Sequence, residues 1–250
     1  MPQLAAVGRL MNPGGRGAWN PLRLGSSLLA WWSADRPDLM TLSGSQVTTW
    51  RDIVAGYAPT QGVSGSRPIY SATSFNGAAG VTFDGVDDYL ELASQPFPSG
   101  AVPSEIWALV DQTSLVADTT ARIMIGYGGN SGNTARLLYR SVVSAQNRVT
   151  VQTGLGGSVV NQNLAADFSG RHVGRAIFTA TTISVALDGT VSSTQAAISN
   201  TSTTLMRLGN GTSASSNYFK GVMRDAIITG PLSAAQAALL EAYLDNRRMP

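Results

Sequence analysis

The sequence contains no cysteine. A structural disulfide, thiolate chemistry and a Cys-ligated zinc site are therefore excluded. It has a single histidine, His172, so no multi-histidine metal site can form. Charge is scarce, at 13% of residues, about half the ~25% of an ordinary soluble domain. Lys220 is the only lysine, and the sixteen arginines never form a basic run. Nucleic acid is not an expected partner. No apolar run approaches the ~20 residues of a membrane-spanning helix, so membrane insertion is not expected either. Gly8, Arg9, Asn12 and Pro13 interrupt the N-terminal stretch, which lacks the continuous apolar centre of a signal peptide. The chain is expected to be made in a cytosol and not to be secreted by a signal peptide.

What is present is a chain of 250 residues with 27 glycines and a net charge of +2. Such a length accommodates one β-rich domain with a sizeable core. Residues 1–25 are broken by Pro13, Gly14, Gly15, Gly17 and Pro21, and read as an extended arm. Arg9, Arg16, Trp19 and Arg23 on that arm are candidate anchoring residues, with Trp19 as the apolar contact.

From residue 26 onward the pattern is that of short strands. Leu28 to Trp32 is an apolar run ended by Asp35, Arg36 and Pro37. Ile106, Ala108 and Val110 alternate with Trp107 and Leu109, which is the two-residue period of a sheet. Ile183, Val185 and Leu187 repeat it and run into Asp188-Gly189, a tight-turn pair. Val81–Phe83 and Tyr89–Leu92 flank the acidic turn Asp84-Gly85-Val86-Asp87-Asp88. Trp31 and Trp32 are adjacent, so they point to opposite sides of one strand. Turn signals recur every 8–15 residues and predict an all-β sandwich or jelly roll. One helix is specified, over about 233–247. Ser233 with Gln236 forms a capping box, Leu239/Tyr243 and Leu240/Leu244 are i,i+4 pairs, and Arg247 and Arg248 suit the negative end of the helix dipole.

Several segments taken in order resemble one family. They are Leu28-Leu-Ala-Trp-Trp-Ser-Ala-Asp35, Trp50-Arg-Asp52, Arg67-Pro68, Phe75-Asn-Gly77, Val81-Thr-Phe-Asp-Gly-Val-Asp-Asp-Tyr-Leu90, Tyr218-Phe-Lys-Gly-Val-Met-Arg-Asp225, Pro231-Leu-Ser233 and Glu241-Ala-Tyr-Leu244. Together they are similar to the concanavalin A-like jelly-roll domains, of laminin G or lectin/glucanase type, found in bacteriophage and prophage particle proteins. The resemblance implies a sandwich of two antiparallel sheets with one C-terminal helix over residues 26–250.

The same resemblance implies a phage-like virion, assembled in a bacterial cytoplasm. The expected role is a non-enzymatic structural and interaction protein, a capsid or collar decoration displaying a lectin-like domain. The alternative is a tail or baseplate adhesin that binds host carbohydrate. Expected partners are capsid or collar subunits, a host surface glycan and further copies of the chain in a homo-oligomer.

Candidate chemistry is sparse. The acidic strand motif E-x-D-x-x-E of the laminarinase-type relatives is absent, and the three glutamates, Glu91, Glu105 and Glu241, are not clustered. No catalytic residue and no organic cofactor is expected. Asp84, Asp87, Asp88 and Glu91 are oxygen ligands of the type calcium takes, and equally the residues that cap a turn. His172 reads as a strand histidine. Tyr127, Asn130, Asn133, Tyr139, Asn210, Asn217 and Tyr218 are residue types that hold sugars, with none of them singled out.

Overall fold

The computed structural model describes residues 19–112, 120–129, 135–143, 146–155, 158–164, 170–197, 201–212 and 217–248. These form a jelly-roll sandwich of two antiparallel sheets with one C-terminal helix, as the sequence pattern predicts. The larger sheet runs in the order 190–191, 182–187, 171–178, 104–111, 220–229, 78–84, 69–75, 46–50, 40–43. Its central strand Lys220–Thr229 pairs with Ser104–Asp111 along one edge. Its other edge pairs with Ala78–Asp84 over Lys220–Met223 and with Leu28–Ser33 over Asp225–Thr229. The smaller sheet runs 158–164, 146–155, 135–143, 122–128, 205–208, 90–92.

Two apolar layers hold the sheets in place. Trp32, Trp50, Phe83, Phe178, Phe219, Met206 and Leu138 fill the space between the sheets. On the outer face of the larger sheet, Trp31, Trp107, Leu109, Val173 and Ile227 pack against Ala237, Leu240 and Leu244 of the helix Ala234–Arg248. Burying Leu240 and Leu244 contributes about 2 kcal/mol each. The adjacent Trp31 and Trp32 thus serve different layers, as strand alternation requires. Ser104–Asp111 is buried on both faces along nearly its whole length, because helix and second sheet cover it from opposite sides.

Local chemistry explains the junctions. Asp188 and Gly189 both take positive φ, 47° and 79°, as the primed hairpin turn demands. The capping box is reciprocal. Gln236 N–H donates to Ser233 Oγ at 3.2 Å, and Ser233 N–H donates to Gln236 Oε1 at 3.0 Å. Of the helix residues expected to face inward, Leu240 and Leu244 do, while Leu239 is 45% exposed.

The first described residues belong to the domain. Asn20 caps a short 3-10 helix, Pro21–Ser27, by accepting from Leu22 N–H at 3.0 Å. Leu24 is buried in the helix layer. The element therefore straddles residue 25, where the arm was expected to end. Trp19 lies edge-on to Tyr243 with ring centroids 6.0 Å apart. Arg23 is exposed, and Arg9 and Arg16 lie outside the described residues.

The interior also holds a guanidinium that the sequence does not announce. Arg136 is fully buried between the sheets. It donates to Thr201 Oγ1, Tyr127 Oη, Ser104 Oγ and the carbonyls of Gly100 and Val102. It also stacks 4.9 Å from the Phe178 ring centroid. A buried charge is tolerated when every donor finds an acceptor.

Candidate functional site

The family-like segments turn out to be structural. Phe83 is 1% exposed in the core. Asp52 accepts backbone N–H bonds from Val54 at 2.7 Å, Ala55 at 3.0 Å and Tyr57, and burial pushes its carboxyl up from the ordinary range. Asp225 accepts from Trp31 Nε1 at 2.9 Å and from Arg247. Each carboxylate closes a loop or joins two elements of the sandwich.

The acidic turn follows the same rule. Asp84 Oδ1 accepts from Val86 N–H at 2.7 Å, and Asp88 Oδ2 accepts from Asp84 N–H at 2.9 Å. Asp87 Oδ2 accepts from Ser66 Oγ at 2.8 Å. Asp84, Asp87 and Asp88 each bring a carboxylate oxygen within 4.8 Å of the others, so they could jointly hold a cation. Burial, with the nearby Asp84 and Asp87 charges, pushes Asp88 up to about 6. Glu91 is not part of this set. Its register partner is Arg207, whose Nε donates to Glu91 Oε2 at 2.8 Å. The sequence grouped Glu91 by distance along the chain, but the strand turns it onto the outer face of the sheet.

That outer face sets aromatic and polar side chains beside one another. Leu208, Ile125, Leu138 and Val151 point into the core, so their strand neighbours point outward. One cross-sheet row reads Glu91, Arg207, Gly126, Leu137, Gln152, Asn161. The next reads Ile123, Tyr139, Thr150, Asn163. The second row is tied by hydroxyl and amide contacts: Ser141 Oγ to Thr150 Oγ1 at 2.6 Å, and Thr150 Oγ1 to Asn163 Oδ1 at 2.6 Å. Tyr139 Oη donates to Asn161 Oδ1 at 3.2 Å, and burial pushes its phenol up to about 12.

At the edge of this face two half-buried tyrosines meet. Tyr89 and Tyr218 have ring centroids 6.3 Å apart at a tilt of 37°. The Arg207 guanidinium lies 4.8 Å over the Tyr89 ring while bound to Glu91. Tyr218 is brought here because its segment crosses β-residues of the smaller sheet: Ile123 N–H donates to Asn217 O, and Ile123 bridges to Tyr218. Tyr89 follows the acidic turn directly. Of the residues whose types suit sugars, Tyr218 and Tyr139 therefore reach this face. Tyr127 and Asn210 are buried, and Asn130 and Asn133 lie outside the described residues. Tyr89 and Arg207 were missed, since Tyr89 read as a strand residue and Arg207 carried no motif.

His172 sits across the molecule, with Nδ1 at 2.7 Å from Asp188 Oδ2. Ser169, its sequence neighbour, is outside the described residues.

No protein-family model matches the chain, and no curated protein matches it. Solved structures do. A GH54 α-L-arabinofuranosidase soaked with a cyclic sulfate inhibitor is similar at a TM-score of 0.60 and 12% identity, over 80% of this chain and 50% of that one. Domain 4 of AbnA, an extracellular GH43 arabinanase of Geobacillus stearothermophilus solved with arabinotriose, is similar at 0.57 and 14%, over 86% of this chain and 98% of that domain. The Trypanosoma rangeli sialidase with sialic acid is similar at 0.58 and 14%, over 94% of this chain and 35% of that one. The chain spans half the length of the arabinofuranosidases it resembles. At these identities the likeness is one of fold: a β-sandwich of lectin and glycosidase type.

This corrects the functional expectation. The expected non-enzymatic virion decoration, with the tail or baseplate adhesin as its alternative, is overturned. The similar structures include arabinofuranosidases, an arabinanase domain and a sialidase. The expectation of no enzyme falls with it, because those structures belong to glycan-cleaving proteins. The physical reason lies in the motifs. FDGVDDYL and the capped terminal helix make a turn and a cap of the sandwich, and such features report fold rather than function.

Proposed function

We propose that the chain is a carbohydrate-recognition domain that binds oligosaccharide on the outward face of its smaller sheet. The observation that carries this reading is the meeting of Tyr89, Tyr218, Arg207 and Glu91 at one edge of that face. A sugar ring presents an apolar C–H face and a rim of hydroxyls. Tyrosine rings suit the first, and a guanidinium beside a carboxylate offers fixed donors and acceptors to the second. Gln152, Asn161 and Asn163 add polar groups on the two strands at the far end of the same sheet. Domain 4 of AbnA, matched over nearly its full length, was solved with arabinotriose, and this supports the same ligand class here.

The test is calorimetric titration of the full chain with arabino-, xylo- and sialyl-oligosaccharides. Binding of at least one, weakened in Tyr89→Ala and in Tyr218→Ala with an unchanged melting temperature, is the expected result. Binding to none, or binding that neither substitution alters, overturns the assignment. Reducing-end analysis of the same mixtures reads whether binding leads to cleavage.

A further inference from the structure

A second candidate site lies on the far side of the sandwich, under the closing helix. A cavity of about 660 Å³ opens between that helix and the hairpin turn at Asp188-Gly189. Leu232, Ala234, Ala237 and Ala238 form its apolar wall. Asp188, Glu241 and Asp245 bring carboxylates to it, and Arg175 and Arg248 bring guanidinium groups.

The charges do not balance. Arg175 is already matched by Glu105 in a two-pronged pair, at 3.0 and 2.8 Å, and stacks 4.5 Å from the Trp107 ring. Arg248 lies between Asp188 at 2.5 Å and Asp245 at 2.7 Å. Three carboxylates therefore share the Arg248 guanidinium, whose Nε is buried without a hydrogen-bond partner, and His172 is the further titratable group touching Asp188. Glu241 keeps one oxygen unmatched. Its Oε1 is buried with no hydrogen-bond partner, and burial together with Asp188 and Asp245 pushes the carboxyl up to about 7. An unmatched buried acceptor costs free energy that a donor would recover. The carboxylate lines the cavity and accepts one backbone N–H, from Gly189.

We infer that this cavity binds an organic ammonium group, with its N–H donors on the Glu241 carboxylate and its methylene stem along Ala234, Ala237 and Ala238. An ammonium has three donors and no acceptor, which suits a pocket with surplus carboxylate oxygen. A carboxylate or phosphate ligand would meet net negative charge. Four methylenes would lie against alanines whose small side chains leave the room. The same ammonium chemistry occurs in a free diamine and in a lysine side chain, and the probes separate these sources.

The experiment is calorimetric titration of the full chain, above the pH at which Glu241 ionises, with 1,4-diaminobutane, Nα-acetyl-lysine methylamide and the neutral 1,4-butanediol. Both amines, or one, bind in the submillimolar range and the diol does not. Preference between the amines names the source. Glu241→Gln keeps the shape and weakens amine binding about tenfold, the loss of one charge-assisted hydrogen bond. Ala238→Leu, at an exposed helix position, fills the wall and blocks binding while the melting temperature holds. Equal binding of diol and diamine, no amine binding at millimolar concentration, or undiminished binding in both variants overturns the inference. Oligosaccharide titrations are unaffected by either substitution, so failure here is distinguishable from failure at the opposite face.

Discussion

Arg247, on the last turn of the closing helix, grips Asp225 in the middle of the central strand. Nε lies 2.9 Å from Oδ2, and Nη2 lies 3.2 Å from Oδ1. Asp225 is fully buried and also accepts from Trp31 Nε1. The guanidinium continues to Asp35 at 2.7 Å and Ser33 Oγ at 3.1 Å, and lies 5.3 Å over the Tyr243 ring. One side chain thus joins the helix to two neighbouring strands. Removing one partner leaves the other charge buried and unmatched, which costs about 3–5 kcal/mol. Asp225→Ala and Arg247→Ala are each expected to lose that much in urea unfolding. The double variant loses less than the sum, because the two substitutions remove one shared interaction. Additive losses in this cycle would show that the pair is not coupled.

Gly209 stands where no side chain fits. Its φ is +88°, and a Cβ built there lies 2.4 Å from two atoms of the Phe83 ring and 3.1 Å from the Asp88 carbonyl. Phe83 is packed in the core and cannot retreat cheaply. Gly209→Ala is expected to cost about 3 kcal/mol, the sum of overpacking and left-handed backbone strain. Denaturant midpoints measure it. Phe83→Leu in the same background should recover part of the loss by opening space for the methyl.

Stability conferred by two buried carboxyls should fall as pH rises from the ordinary carboxylate range to neutral. Burial raises Asp88 to about 6 and Glu241 to about 7, from ordinary values of 3.8 and 4.5. A carboxyl with a raised folded pKa holds its proton more tightly when folded. The stability this confers is fully present below the ordinary value and is lost as pH climbs past the raised one. Asp88→Asn and Glu241→Gln cannot ionise and should each flatten the profile over its own window. Asp188 acts with the opposite sign. Burial opposes its ionisation, but hydrogen bonds from His172 and Val173 N–H and the charge of Arg248 hold it below the ordinary value. Its contribution is lost as pH falls. Thermal melts of wild type and both variants across this range check the signs. Calcium added at neutral pH is the companion measurement. Stabilisation that disappears in Asp88→Asn assigns the three aspartates to a cation, and no stabilisation leaves them as caps of the turn.

The tyrosine pair predicts a graded loss of ligand. Base values for aromatic contacts place each ring at about 0.5–1.5 kcal/mol beyond its area. Tyr89→Phe, which keeps the ring, should retain most oligosaccharide affinity, and Tyr89→Ala should lose about tenfold. Arg207→Lys keeps the charge but not the planar fork, and should weaken binding while sparing stability. Titrations of the three variants with one bound oligosaccharide rank them. A Tyr89→Phe variant as weak as Tyr89→Ala would move the recognition from the ring to its hydroxyl.

The sequence by itself determined the local elements. Alternation at Ile106–Val110 and Ile183–Leu187, the positive-φ pair Asp188-Gly189, the Ser233/Gln236 box and the opposed Trp31 and Trp32 each depend on residues a few positions apart. Short-range rules of period and turn chemistry therefore read them correctly. The tertiary structure decided what these elements bring together. Only strand register moved Glu91 from the acidic turn to Arg207. Only the crossing of residues 217–218 over Ile123 set Tyr218 beside Tyr89. Only sandwich closure surrounded Arg136 with five acceptors, and only helix docking gathered Asp188, Glu241 and Asp245 around one cavity. Apart from Glu241 and Asp245, one helical turn apart, and Arg136 and Tyr127, nine residues apart, these partners are separated by tens of residues along the chain, and their spacing obeys no period. Their electrostatics exist once water is excluded between elements that the sequence does not place side by side.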